Sequence, residues 1–154
     1  MSCHSITISS GQGEGSTKLA AFDAALWDAG VANYNLIKLS SVIPPNSKLI
    51  IGSPGNPRGK KVGERLYVVL AEKREDKAGE EAWAGLGWVQ AKNGHGLFVE
   101  HNGTSEKEVI KLIKDSLEDM VKYRGNVYGQ INYQTAGIKC RDKAVCALVV
   151  ATYY

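Results

Sequence analysis

The chain has 154 residues, 44% of them hydrophobic and 23% charged, with a net charge of +3 at neutral pH. This length and composition are typical of one globular domain with a substantial core, so we predict a single domain over residues 1–154. The charge is too small to indicate a nucleic-acid-binding protein, and the lack of a long apolar run or an N-terminal signal region predicts a cytoplasmic protein with no membrane partner.

The first 30 residues predict a strand, a turn and a helix. Residues 4–9 alternate between polar and apolar side chains, as in a strand, and the glycine-rich residues 11–15 predict a flexible turn. Ser16 or Thr17 can cap a helix that ends before Gly30. The apolar stripe of this helix is predicted to consist of Leu19, Phe22, Leu26 and Ala29.

A strand over residues 33–43 follows, because this stretch is rich in β-branched and apolar residues. Pro44 and Pro45 offer no backbone N–H groups, so regular pairing should end there. Near its end the strand contains the hydroxyl pair Ser40 and Ser41. On its own, such a pair before prolines is typical of an ordinary turn.

Strands dominate the rest of the chain, after a Gly- and Pro-rich loop predicted at residues 47–63. Gly85 and Gly87 weaken a helix over residues 82–90, so we predict a strand there with another backbone lying close to it. The strands predicted after the loop lie at residues 66–71, 82–90, 96–101, 127–135 and 144–152.

The clearest helix begins at Ser105, which forms a capping-box pattern with Glu108, and it ends at Gly125. Its predicted apolar face consists of Val109, Leu112, Ile113, Leu117, Met120 and Val121. A helix with one apolar stripe must cover the face of a sheet. Two such helices and seven strands therefore predict an α/β fold of two packed sheets with the helices outside.

Three cysteines, Cys3, Cys140 and Cys146, are an odd and irregularly spaced set, which predicts no disulfide framework. Cys146 lies in an apolar run, where we expect a small core residue. The spacing of the cysteines and histidines matches no trusted metal-ligand motif, so we predict no metal site.

Residues 35–45 read Asn-Leu-Ile-Lys-Leu-Ser-Ser-Val-Ile-Pro-Pro, which closely resembles the self-cleavage segment of pyruvoyl-dependent arginine decarboxylases. Residues 11–30 resemble the glycine-rich turn and first helix of this family, and residues 96–103 resemble its glutamate-bearing strand. The resemblance implies a four-layer α/β/β/α sandwich that forms homotrimers or higher oligomers with active sites between subunits. It also implies the conversion of arginine to agmatine and carbon dioxide.

The resemblance further implies that the Ser40–Ser41 bond breaks by itself and that Ser41 becomes a covalently bound pyruvoyl group. Attack of the Ser41 hydroxyl on the Ser40 carbonyl gives an ester, and β-elimination with loss of ammonia leaves a ketone. Because an unstrained peptide does not react quickly in this way, the backbone must be held in a reactive geometry. The ketone would form a Schiff base with the substrate α-amine and accept the electrons released with carbon dioxide, without pyridoxal phosphate, nucleotide or metal.

Four residues are expected to bind the substrate. Asp23 lies at the shoulder of the first helix's apolar stripe, where a partly buried carboxylate needs a partner. A salt bridge or rim position is the ordinary interpretation, whereas the resemblance makes Asp23 the partner of the arginine guanidinium, whose paired N–H groups suit a carboxylate. Leu19 and Leu26 would line the aliphatic stem of the substrate, and Tyr34 the pocket wall.

Two further residues are catalytic candidates. Asn35 shares a face with Ser41 by parity if the strand is regular, so its amide could polarise the scissile carbonyl; a structural cap is the alternative. Glu100 follows the apolar residues 97–99, where desolvation would favour its protonated form. A strand-end surface residue is the alternative, but the resemblance makes Glu100 the acid that protonates the former α-carbon.

Two other interpretations stay open. A homologue that folds and trimerises without cleaving itself would have a structural or regulatory role. Residues 11–18 are also similar to a phosphate-binding loop, although the Gly-Lys-Ser/Thr order is absent, and would make the chain a nucleotide-binding module.

Overall fold

The computed structural model describes residues 3–55 and 59–153, which contain two helices and nine strands. In chain order these are β1 (His4–Gly15), α1 (Lys18–Ala29), β2 (Asn35–Lys38), β3 (Val42–Ile43), β4 (Ser47–Ile51), β5 (Arg65–Glu75), β6 (Glu81–Gln90), β7 (Gly96–Gly103), α2 (Glu106–Lys122), β8 (Asn132–Lys139) and β9 (Ala144–Tyr153). Sheet A has the strand order β2-β5-β9-β1-β4, and sheet B has the order β3-β7-β6-β8. Neighbouring strands are antiparallel except in the parallel pairs β1–β4 and β2–β5.

The two sheets lie face to face, and one helix covers the outer face of each. Buried side chains from both sheets form a core between them. A second core lies between α1 and sheet A, and a third between α2 and sheet B. The predicted α/β/β/α sandwich is therefore confirmed. Neither helix in the described part of the chain is long and apolar enough to cross a membrane.

Strand β9 shows why its sequence is almost continuously apolar. Val145, Ala147 and Val149 lie in the core between the sheets, whereas Cys146 and Leu148 lie in the core beneath α1. All five are fully buried, because β9 is the middle strand of sheet A and is covered on both faces. The predicted core position of Cys146 is confirmed, and burial raises the pKa of its thiol to about 12.

Residues 11–15 are not the flexible turn that the sequence predicts. They continue β1 and pair residue by residue with β9. Helix α1 lies directly on their glycines: a Cβ atom added at Gly13 would lie 2.4 Å from the backbone nitrogen of Ala25, and one at Gly11 would lie 2.1 Å from the Ala25 carbonyl oxygen. The glycines thus allow close contact between helix and strand. A backbone that is paired along β9 and covered by α1 is an extended strand and not a loop that could wrap around a phosphate, so the nucleotide-binding interpretation loses its basis.

The close approach to β1 also decides which face of α1 is buried. The buried residues of the helix are Ala21, Ala25, Leu26 and Ala29. The helix face that lies over the glycines carries mainly small side chains, and Leu19 is not on this face. The predicted apolar stripe is therefore wrong at Leu19, which is 67% exposed. The predicted ends of the helix are confirmed: the Ala20 N–H donates to the Thr17 hydroxyl at 3.0 Å, and Gly30 follows in the left-handed conformation with a φ of 84°.

Helix α2 begins at its predicted cap. The Glu108 N–H donates to the Ser105 hydroxyl at 3.2 Å, and the Glu108 carboxylate accepts a hydrogen bond from the Thr104 N–H at 3.1 Å. The last helical residue is Lys122, and Gly125 adopts a positive φ shortly afterwards. Local capping residues therefore predicted both ends of this helix to within a few positions.

The buried face of α2 lies on two glycines of β6. Its fully buried residues are Val109, Ile113 and Leu117, whereas Leu112 is 36% exposed and is wrongly placed in the predicted stripe. A Cβ atom added at Gly85 would lie 2.7 Å from the Val109 Cγ1 atom, and one at Gly87 would lie 2.1 Å from the Ile113 Cγ2 atom. The predicted strand over residues 82–90 is confirmed, but the atoms closest to its glycines belong to side chains of α2 and not to another backbone as predicted.

Three predicted boundaries change because distant residues decide the strand pairing. Residues 47–51 form β4 inside the predicted loop, since they pair in parallel with β1; residues 56–58 of that loop lie outside the described residues. The strand predicted at 127–135 lies instead at Asn132–Lys139, where it pairs with β6. The strand predicted at 33–43 divides into β2 and β3, which belong to different sheets.

Candidate active site

The chain crosses from sheet A to sheet B at the two serines. Strand β2 ends just before Leu39, and β3 begins just after Ser41. The Leu39 N–H donates to the Val68 carbonyl at 2.8 Å in sheet A, and the Phe98 N–H donates to the Ser41 carbonyl at 2.8 Å in sheet B. The Ser40–Ser41 peptide bond therefore lies between one anchor in each sheet.

Ser41 has a strained backbone. Its φ of 76° lies in the left-handed region, which costs an ordinary L-residue roughly 1–2 kcal/mol. Among the described residues other than glycine, only Ser41, Asn46 and Asn126 have a positive φ, and asparagine tolerates this conformation well. The strain is therefore located at the residue for which the resemblance predicts self-cleavage.

The Ser41 hydroxyl donates a hydrogen bond to the Oε1 atom of Glu100. Glu100 belongs to β7, the strand that pairs with β3, so sheet B brings its carboxylate to a hydroxyl 59 residues earlier in the chain. A carboxylate in this position can accept the hydroxyl proton. The site thus fits Ser41 as the precursor of a pyruvoyl group: the hydroxyl has a base beside it, the carbonyl is held by Phe98, and the backbone is strained.

Glu100 is exposed in this chain, although Val99 before it is buried. A single copy of the chain therefore does not bury the Glu100 carboxylate, and the desolvation that we expected there is absent. The next residue, His101, points toward α2, where its Nε2 atom lies 2.7 Å from the Ser116 hydroxyl. Burial lowers the pKa of His101, and the Glu100 carboxylate opposes this effect. This contact holds β7 against α2 beside Glu100.

Asn35 does not point at the scissile bond. Its side-chain amide donates to the Gly63 carbonyl at 2.7 Å, and its backbone N–H donates to the Glu64 carbonyl at 2.9 Å. The parity argument fails because the regular strand ends at Lys38 and the chain then changes sheet. Within one chain, Asn35 therefore fixes the loop before β5 and makes no hydrogen bond to either serine.

The expected substrate-binding residues lie on or near α1, against sheet A. Asp23 is exposed and makes no hydrogen bond or ion pair with any described residue, so the partial burial that we expected is wrong for the single chain. Leu19 is also exposed, whereas Leu26 and Tyr34 pack in the core beneath α1. The fold thus places three of these residues on α1, with Tyr34 packed beneath it, whereas the Ser41–Glu100 pair lies at the edge of sheet B. No hydrogen bond joins the two groups.

The structure adds one residue that the sequence analysis missed. Tyr153, at the end of β9, donates from its hydroxyl to the Val42 carbonyl at 3.0 Å, directly after Ser41. The contact joins residues 111 positions apart. No local sequence pattern predicts such a pairing. The sequence shows only a tyrosine at the end of an apolar strand, and the hydroxyl of a tyrosine with a buried ring usually forms a hydrogen bond.

The described residues provide no alternative centre of metal or disulfide chemistry. No three His, Cys, Asp or Glu side chains within residues 3–55 and 59–153 are grouped so as to hold a metal ion. Cys3, Cys140 and Cys146 are all free thiols.

Comparison with known proteins shows the family of the chain. The model of the pyruvoyl-dependent arginine decarboxylase family matches residues 5–154. The chain is 33% identical over 149 residues to the pyruvoyl-dependent arginine decarboxylase of Thermococcus kodakarensis, a match that covers 96% of this chain and 92% of that protein. It is 37% identical over 137 residues to the protein of the same name from Thermococcus sibiricus (88% and 85% covered). It is 36% identical over 145 residues to that of Pyrococcus abyssi (91% and 90% covered). The chain therefore belongs to the pyruvoyl-dependent arginine decarboxylase family.

Proposed function

We propose that this protein cuts its own Ser40–Ser41 bond and then decarboxylates arginine to agmatine. The observation that carries the proposal is the geometry of Ser41, whose strained backbone and Glu100-bound hydroxyl lie at the crossover between the two sheets. The family match and the names of the relatives support arginine as the substrate.

The self-cleavage begins at the Ser41 hydroxyl. Glu100 takes its proton, the oxygen bonds to the Ser40 carbonyl carbon, and the peptide C–N bond breaks to free the Ser41 amine. Loss of the Ser41 Cα proton then expels the Ser40 carboxylate from Cβ. One water replaces the nitrogen, which leaves as ammonia, and residue 41 becomes a pyruvoyl group. The fragments are residues 1–40, with a new carboxyl terminus, and residues 41–154.

The pyruvoyl group supplies a ketone that condenses with amines and accepts the electron pair released when carbon dioxide leaves. Residues of the chain would bind that group and transfer protons in its reaction. The Phe98 N–H holds the carbonyl of residue 41 at 2.8 Å. Glu100, freed from the Ser41 hydroxyl after cleavage, would return a proton to the substrate carbon.

Substrate recognition is proposed to need a second copy of the chain. Asp23 offers two carboxylate oxygens, which suit the planar guanidinium of arginine, but it is exposed on α1 and has no partner among the described residues. Leu19 beside it is 67% exposed, although an aliphatic substrate stem would require a closed apolar wall. A homotrimer that sets α1 of one subunit against the Ser41 corner of the next would complete the pocket and bury Glu100, with Leu26, Tyr34 and Asn35 supporting its walls.

The test is to look for the cut and the product in one preparation. Denaturing electrophoresis of the purified protein should show two fragments, and mass spectrometry should place the break between Ser40 and Ser41. The same sample should release agmatine and carbon dioxide from arginine. A single full-length band without product would identify instead a homologue with a structural or regulatory role, and a cut at another bond would overturn the assignment of Ser41.

A further inference from the structure

Tyr153 connects the end of β9 to the residue that follows the scissile bond. Its hydroxyl donates to the Val42 carbonyl at 3.0 Å. Its ring meets the ring of Phe98 edge to face, with centroids 6.3 Å apart. Because the Phe98 N–H in turn donates to the Ser41 carbonyl, Tyr153 contacts both elements that hold the reacting residue.

The hydrogen bonds around the scissile bond are unequally distributed. On the C-terminal side, the Ser41 carbonyl is bound by Phe98 and the Val42 carbonyl by Tyr153. On the N-terminal side, Ser40 makes no hydrogen bond to any described residue, and the nearest anchor is the Leu39 N–H. The side that carries the attacking hydroxyl is therefore the fixed side.

Strand β3 needs such an additional anchor because it is very short. It pairs with β7 through Val42 and Ile43 alone, and the Val42 side chain is 59% exposed. A two-residue strand is shorter than most strands in globular proteins, so few ladder hydrogen bonds hold it, although Ile43 is fully buried. Without a further contact, the strained φ of Ser41 could relax and move its hydroxyl away from Glu100.

We propose that Tyr153 is a positioning residue for self-cleavage: by binding the Val42 carbonyl, it keeps Ser41 in its strained conformation with the hydroxyl on Glu100. The same contact holds the new N-terminus of the second fragment in place after the cut. This inference rests on the proposed self-cleavage and adds a residue to it.

The phenol is suited to this role because it remains protonated. Burial, assisted by the nearby Glu100 carboxylate, raises the pKa of Tyr153 well above its ordinary value. Its hydroxyl is therefore a donor over the whole physiological pH range, and the Val42 carbonyl can only accept. Tyr153 therefore donates to the Val42 carbonyl whether Glu100 is charged or neutral.

The test compares Tyr153→Phe with Tyr133→Phe in freshly synthesised protein. The first variant keeps the ring contact with Phe98 and removes only the donor. The second removes a hydroxyl that makes no hydrogen bond to a described residue, on a half-exposed ring of β8. Full-length chain and fragments are followed over time after cell-free synthesis, and thermal unfolding of each variant is recorded. We expect fragment formation about tenfold slower in Tyr153→Phe, wild-type kinetics in Tyr133→Phe, and similar unfolding temperatures.

Hydroxylamine identifies the step that is affected, because it breaks the ester that forms after the Ser41 attack. If Tyr153 positions the attacking hydroxyl, the uncut Tyr153→Phe chain contains little ester, and hydroxylamine releases no additional fragment. Accumulated ester, seen as a fragment beginning with an intact Ser41, would place Tyr153 in the elimination step and overturn the proposal. Wild-type cleavage in Tyr153→Phe, or loss of its fold, would overturn it too. A wild-type chain that never cleaves would instead reject the proposed function.

Discussion

The contacts between helices and sheets differ in kind from the contacts around Ser41. At the helices, glycines of β1 and β6 lie directly beneath α1 and α2, and each helix forms a buried apolar core with its sheet within the same chain. At the crossover, the Ser41 hydroxyl and the Glu100 carboxylate lie at an exposed edge of sheet B. The first region is complete in one chain, whereas the second has its reacting groups in place but no closed pocket.

This difference separates what stabilises the fold from what performs the chemistry. The helix–sheet contacts bury apolar surface, which is the main source of folding free energy. The crossover buries little and stores strain in one residue, which the rest of the structure must support. Substitutions in the two regions should therefore have effects that can be measured separately.

The largest expected effect is the loss of self-cleavage in Ser41→Ala. Without the hydroxyl there is no nucleophile, so the chain should stay at full length and release no agmatine. Thermal unfolding should be close to that of a wild-type chain, because Ser41 contributes no buried apolar surface. Ser40→Ala is the matched control: it keeps the carbonyl that is attacked and removes a hydroxyl that makes no hydrogen bond to a described residue, so mass spectrometry should still find two fragments. Equal fragments in Ser41→Ala would contradict the assignment.

Glu100→Gln should reduce activity strongly without unfolding the protein. The amide keeps the size of the side chain but cannot take or return a proton. General acid–base catalysis is commonly worth about 10²–10⁴-fold in rate, so cleavage should slow by a factor in that range, as should turnover by any processed enzyme. Time courses of fragment formation and single-turnover measurements with arginine would determine the two rates. Wild-type rates in both assays would show that another group moves the protons.

Asp23→Asn should lower arginine turnover but leave self-cleavage unchanged, because Asp23 lies on α1 and makes no contact with the serines in its own chain. Loss of a charged hydrogen-bonded contact costs roughly 1.5–3 kcal/mol, or about tenfold to a hundredfold in kcat/KM. Asp28→Asn on the same helix is the control, since its amide oxygen can still accept the Gln12 N–H that Asp28 binds at 2.9 Å. Normal kcat/KM for arginine in processed Asp23→Asn would show that the guanidinium is bound elsewhere.

The smallest effects are expected from substitutions of the glycines beneath the helices, and these substitutions should lower the stability of the fold. The Cβ atom of Gly13→Ala would lie 2.4 Å from the backbone of α1 at Ala25, whereas that of Gly85→Ala would meet the Val109 side chain at 2.7 Å. Side chains can rotate and a helix backbone cannot, so Gly13→Ala should cost about 1–3 kcal/mol in the free energy of unfolding and Gly85→Ala less. Denaturant unfolding of the Ser41→Ala chain with each substitution would measure both. The reverse order would show that α1 shifts more readily than α2.

Much of the fold follows from local patterns in the sequence. The caps at Thr17 and Ser105 bind the N–H groups of their own helices, so neighbouring residues alone predict them. Gly85 and Gly87 disfavour a helix, and they predict the strand at 82–90 for that reason. The resemblance of residues 35–45 to a self-cleaving segment predicts, from the sequence alone, that Ser41 is the reactive residue.

What the sequence by itself determined was the local structure: where helices begin, which strands are apolar on both faces, and which serine could react. Only the tertiary structure decided that residues 11–15 continue β1, because their glycines matter only once α1 lies on them. It also decided that the predicted strand at 33–43 breaks at the serines, since its two halves pair with different sheets. The pairings of Ser41 with Glu100 and of Val42 with Tyr153 span 59 and 111 residues. The first contact depends on the pairing of β3 with β7 and the second on how the two sheets stack, and no local pattern of residues encodes either.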